Sequence, residues 1–109
     1  MKLGVAYNIF DGEELLPYSL ENMRNMVDYI CVVYQTTSNF KQENNRIEQT
    51  IFDYSRDGLI DAFHFYKPNF KYNNQGQIAS DNGILNEINK RNLGMDLCSQ
   101  NSCDLFMTM

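Results

Sequence analysis

Asp28-Tyr-Ile-Cys-Val-Val-Tyr-Gln35 is the stretch whose reading decides the fold. Its centre is an almost unbroken apolar run, too short for a buried helix and rich in β-branched and aromatic side chains. Such a run suits a strand of a parallel sheet covered on both faces. Upstream, Leu3 to Tyr7 is a second short apolar run, bounded by Asn8. Downstream, Leu59 to Tyr66 supplies a third, alternating through Ala62-Phe-His-Phe-Tyr66 and ending before Pro68. Asp104 to Met109 closes the chain on another strand-like run.

Helical periodicity lies between these runs. Leu16, Leu20, Met23 and Val27 recur at helical spacing behind Asp11 as N-cap, with Glu13 and Glu14 suited to the positive end of the helix dipole. Pro17 either kinks this helix or marks its first turn. A second helix is predicted over 45–57 from Ile47, Ile51 and Tyr54, with Gly58 as its stop. A third is predicted from Ile84 to Ser99, turning Ile84, Ile88, Met95 and Cys98 inward. Asn69 to Asn82 is rich in Asn, Gln and Gly without a hydrophobic period, and reads as a long mobile loop. The order β-α-β-α-β-α-β predicts an α/β fold with a mostly parallel sheet and right-handed crossovers.

At 109 residues the chain holds one domain, and 43% apolar residues are enough to build a core. A net charge of -5 and a pI near 4.6 argue against a nucleic-acid binder, which needs a basic face for phosphates. The cysteines, Cys31, Cys98 and Cys103, form no disulfide framework, which predicts a reducing compartment. Cys31 reads as a core residue. The Cys98–Cys103 spacing is too wide for a CxxC pair, and no second Cys/His pair completes a zinc site. No signal peptide is readable, and no run approaches the ~20 apolar residues that span a bilayer. The expected location is cytoplasmic.

In open parallel sheets ligands bind at the carboxyl ends of strands, near the point where strand order reverses. That directs attention to Tyr7-Asn8, to Tyr34-Gln35-Thr36, and to whatever follows Met109. The first β-α turn lacks GxGxxG, and the chain has neither a P-loop nor a GxSxG elbow. His64 has no Asp or Ser partner in view and reads as structural. The Tyr66-Lys67 and Lys71-Tyr72 pairs are a weak nucleic-acid signal in an acidic chain.

A resemblance builds up along the chain. Gly4-Val-Ala-Tyr-Asn8, followed by Asp11-Gly-Glu-Glu-Leu-Leu16, resembles the first strand and acidic helix start of family 2 glycosyltransferases. Val27 to Asn39 looks like their second strand and loop. Asn89-Lys-Arg-Asn-Leu-Gly94 resembles their basic RNxG-type helix, and Asp104-Leu-Phe-Met-Thr-Met109 resembles the strand that delivers their DxD motif. The four blocks keep the family's order.

The resemblance implies a Rossmann-like, three-layer GT-A half-domain over 1–109. It would bind a nucleotide-diphosphate sugar for transfer to an acceptor hydroxyl. Tyr7 would lie against the base and Asn8 would shape the pocket edge. Gln35 stands where the family often places a base-binding Asp, a departure that leaves base identity open. Arg91 would meet the base or the diphosphate. Mn²⁺ or Mg²⁺ would be held by the DxD carboxylates, and an inverting member needs a carboxylate base. Neither is identifiable here, so no catalytic or metal-ligating residue is assigned and the chain alone is expected to be inactive. Ending before the acidic motif, the domain is expected to be incomplete and to self-associate through an exposed edge strand. Without the resemblance, Tyr7 reads as a structural strand residue and Arg91 as a solvated helix residue. The competing readings are a non-catalytic α/β binding or interaction module and an unrelated flavodoxin-like protein.

Overall fold

A computed structural model describes residues 1–10, 15–38 and 42–109. Its elements run β1 (Leu3–Ile9), α1 (Leu16–Arg24), β2 (Tyr29–Tyr34), α2 (Ile47–Arg56), β3 (Ala62–Phe65), α3 (Asn82–Gln100) and β4 (Leu105–Thr108). The strands form one four-stranded sheet in the order β3-β2-β1-β4, and every pairing is parallel. The chain is therefore α/β with a parallel sheet, as expected.

All six residues of β2 are buried, because this central strand has helices on both faces. On one face Val5 and Tyr7 of β1 and Ile30, Val32 and Tyr34 of β2 pack against Leu16 and Leu20 of α1 and Ile47 and Ile51 of α2. On the other, Ala6, Tyr29 and Cys31 pack against Cys98 of α3. The period-2 alternation of strand side chains produces this division.

Pro17 marks the first turn of α1 rather than a kink, where its missing N–H costs nothing. The expected Asp11 cap and the Glu13–Glu14 pair lie outside the described residues. Val27 falls beyond the helix but is buried in the same core. Gly58 ends α2 with φ of 83°. Its N–H bonds Ser55 O and the Leu59 N–H bonds Tyr54 O, the paired contacts of a Schellman cap.

The structure corrects the expected inward face of α3. Ile84, Ile88 and Met95 are exposed, and the buried stripe is Asn82, Asn86, Lys90, Gly94 and Cys98. Of the residues expected to point inward, Cys98 alone does. Close approach to the sheet favours this rotation: a Cβ on Gly94 would lie 2.8 Å from the Ala6 Cβ, too near for any larger residue. The asparagines take the helix's first turns because they have backbone to satisfy.

That backbone belongs to the segment expected to be a mobile loop. It folds back on itself with an antiparallel bridge between Tyr72 and Ile78. The Asn86 side chain accepts from the Asn69 N–H (2.9 Å) and the Tyr66 hydroxyl (2.7 Å), and donates to Asn69 O (2.8 Å). Asn82 accepts from the Lys71 N–H at 2.8 Å. Two buried side chains thus pin a segment that no apolar period could have marked.

Candidate functional site

The switch in strand order lies beside β1. The chain steps outward from β1 to β2 and β3, then returns to place β4 on the other side. The helix following β1 covers one face of the sheet, and the helix preceding β4 covers the other. Such an arrangement opens a crevice at the strands' carboxyl ends. Asn8 stands at its lip, with its N–H bonded to Met109 O at 2.8 Å.

The register of α3 against the sheet fixes what faces Asn8. Cys98 lies at Gly4, and Gly94 lies over Ala6 with Val33 alongside. Moving one helical turn toward the start of α3 advances two residues along each strand, because the helix runs antiparallel to them. That step sets Lys90 over the Asn8 and Gln35 positions. Lys90 is only 4% exposed. Its ammonium meets the Glu87 carboxylate at 2.7 Å, its one partner among the described residues.

Gln35 is buried. Its N–H bonds Ile9 O and its side-chain amide donates to Thr37 O at 2.7 Å, holding the turn that follows β2. Buried Asn44 ties this turn to the one after β1, donating to Phe10 O at 2.9 Å while its own N–H bonds Thr36 O. The Asn8 side-chain oxygen is buried and has no hydrogen-bond partner among the described residues. Leaving a buried acceptor unmet costs about 1–3 kcal/mol, so such an atom marks a place where a donor is expected.

Asn8 and Gln35 thus end neighbouring strands on the α3 side of the sheet, and the register of α3 puts Lys90 at their level. Tyr7 points to the opposite face of the sheet, where it is 4% exposed and its hydroxyl pairs with the Ser19 hydroxyl at 2.7 Å. Arg91 is exposed on the outer side of α3. Sequence reading missed Lys90, since the basic motif draws attention to the arginine and only the register of α3 separates the neighbours. His64 is exposed on edge strand β3.

The site is polar, and Lys90 is the one buried cation among the described residues. Asn8 supplies an acceptor, and Lys90 a donor that is already paired with Glu87. Among the described residues no group of three or more His, Cys, Asp or Glu is placed to hold a metal ion. An apolar cavity of about 270 Å³ lies near the other end of the strands, lined by Leu3, Val27, Leu105 and Met107 among others, and contains none of these residues. No described helix is long and apolar enough to cross a membrane. Comparison of the chain with protein-family models, with curated proteins and with solved structures finds no match.

Proposed function

We propose that the crevice at the carboxyl end of β1 binds the nucleotide part of a nucleotide-diphosphate sugar, in a domain of GT-A type with the three-layer β-α-β-α-β-α-β plan. One observation carries this reading: a buried Asn8 oxygen without a partner among the described residues lies at the switch point, and the register of α3 puts buried Lys90 at the same level of the sheet. An amide acceptor beside an ammonium donor suits a nucleobase edge, which presents N–H and C=O groups side by side. Gln35 shapes the wall through the turn it holds. Arg91 stands outside the crevice in this reading, and Tyr7 supports β1 from beneath. The divalent metal implied by the resemblance finds no ligand set among the described residues. The reaction proposed for the whole is glycosyl transfer to an acceptor hydroxyl in the cytoplasm.

The test is titration of the ¹⁵N-labelled chain with uridine and guanosine diphosphates. Movement of the Asn8, Gln35 and Lys90 amide signals is the expected result. A flat response to both nucleotides removes the proposal.

A second reading, a non-catalytic binding or interaction module, is favoured by the outer face of α3. Ile84 (65% exposed), Leu85, Ile88 and Met95 make it apolar. The same reading includes self-association through β4, an edge strand whose Leu105, Phe106 and Met107 are exposed.

A further inference from the structure

The three cysteines, Cys31 of β2 with Cys98 and Cys103 at the end of α3, gather on the α3 side of the sheet at its amino-terminal end. Cys31 and Cys98 are buried and Cys103 is half-buried. Cys31 and Cys98 share one buried cluster, and Cys103 packs against it. Gly4 of β1 is the floor on which two of them meet. A Cβ there would stand 2.6 Å from the Cys103 sulfur and 3.2 Å from the Cys98 sulfur, so both sulfurs converge on one point.

Backbone geometry aligns the same pair. α3 ends in a Schellman cap: the Ser102 N–H bonds Ser99 O at 3.1 Å and the Cys103 N–H bonds Cys98 O at 3.1 Å. Ser102 takes the left-handed position with φ of 61°. In this motif the residues joined by the outer bond normally make a hydrophobic contact. Here that contact is a pair of thiols, held by a backbone bond that keeps their α-carbons close, as a disulfide needs.

We propose that Cys98 and Cys103 are a site of reversible oxidation, joined as an intramolecular disulfide by peroxide-class oxidants. The half-buried Cys103 is the point of entry. Its thiolate attacks one oxygen of hydrogen peroxide, the O–O bond breaks, and a sulfenic acid and hydroxide result. The Cys98 sulfur then attacks the Cys103 sulfur. The S–S bond forms, the S–O bond breaks, and the departing hydroxide takes the Cys98 proton as water. Two thiols and one peroxide give one disulfide and two waters. Burial pushes the Cys31 and Cys98 thiols up, which keeps them protonated, and half-buried Cys103 is the accessible one of the three. The product staples the end of α3 to the entry of β4.

The full chain, treated with hydrogen peroxide, alkylated, unfolded and digested, tests this directly. A peptide linking Cys98 to Cys103 is expected, with Cys31 recovered as a free thiol. C31A should form the same link, and C103S should leave Cys98 reduced. A Cys31–Cys98 link, a disulfide-linked dimer, or over-oxidation of Cys103 without a bridge overturns the proposal. A second measurement stands independently of the variants. The oxidised wild-type chain should unfold a few degrees higher than the reduced one and return to the lower midpoint with dithiothreitol. An unchanged or lowered midpoint also overturns it.

Discussion

Lys90 and Arg91 are consecutive cations on one helix, and their environments separate them. A buried ammonium opposite the Asn8 position can meet a ligand out of water, whereas an exposed guanidinium is screened. K90M is therefore expected to weaken nucleoside diphosphate binding about tenfold or more, consistent with the ~1.5–3 kcal/mol of a charged hydrogen bond. R91A should change it less than threefold. Isothermal titration of both variants checks this, and the opposite ranking would restore the arginine to the site. Ser102 offers a cleaner test of backbone physics. Glycine occupies the equivalent place at the end of α2, where Gly58 has φ of 83°, while α3 puts a serine at φ of 61°. S102G should stabilise the fold by about 0.5–1 kcal/mol in urea unfolding, because glycine adopts this region without a Cβ penalty. Asn8 was legible in the sequence as a polar exit from an apolar strand. Lys90 was not, because a side chain's depth depends on which way its helix is turned.

At the level of elements, strands read more easily than the third helix. β2 shows its burial in six consecutive residues, so its place at the sheet's centre follows from composition alone. α3 shows an apolar spacing that points the wrong way. Its rotation is set by Gly94 against Ala6 and by the backbone groups that Asn82 and Asn86 satisfy, long-range facts that no local period carries. G94A should destabilise the chain by ~1–3 kcal/mol, since neither backbone nor the Ala6 methyl can swing aside. N86A should cost ~1–3 kcal/mol by stranding the Asn69 backbone and the Tyr66 hydroxyl. It should also raise amide exchange selectively over residues 69–78, whereas G94A should loosen α3 itself. Equal exchange patterns in the two variants would mean that the stripe does not divide its work in this way.

For the molecule as a whole, titration of buried phenols and thiols governs the alkaline limit. Burial raises Tyr29 from 10.0 to about 12, with smaller contributions from nearby thiols. Burial and then the Glu48 carboxylate, to which its hydroxyl donates, do the same for Tyr34. Cys31 and Cys98 are raised above 9.0. All these groups hold their protons more tightly when folded, so their contribution is complete below about pH 9. It is lost as pH climbs through 10 toward 12, where the unfolded chain gives up protons first. Urea midpoints should be flat from pH 7 to 8.5 and fall steeply above 10, and a rise there would contradict the assignment. The chain's exposed apolar surface sets a second limit. With Ile84 and Ile88 exposed on α3 and β4 at the edge of the sheet among the described residues, sedimentation should show association that grows with concentration and weakens in an I84K/I88K variant.

One helix serves both ends of this sheet. α3 carries Lys90 at the crevice proposed for the nucleotide and Cys98 at the thiol corner, about 12 Å apart along its axis at 1.5 Å per residue. A rigid rod with a working group at each end obeys thermodynamic reciprocity. Whatever free energy the disulfide adds to or takes from nucleotide affinity, the bound nucleotide must return to the reduction potential of the Cys98–Cys103 pair, with the same magnitude. Measuring that potential with and without nucleoside diphosphate would therefore read the crevice from the far side of the molecule.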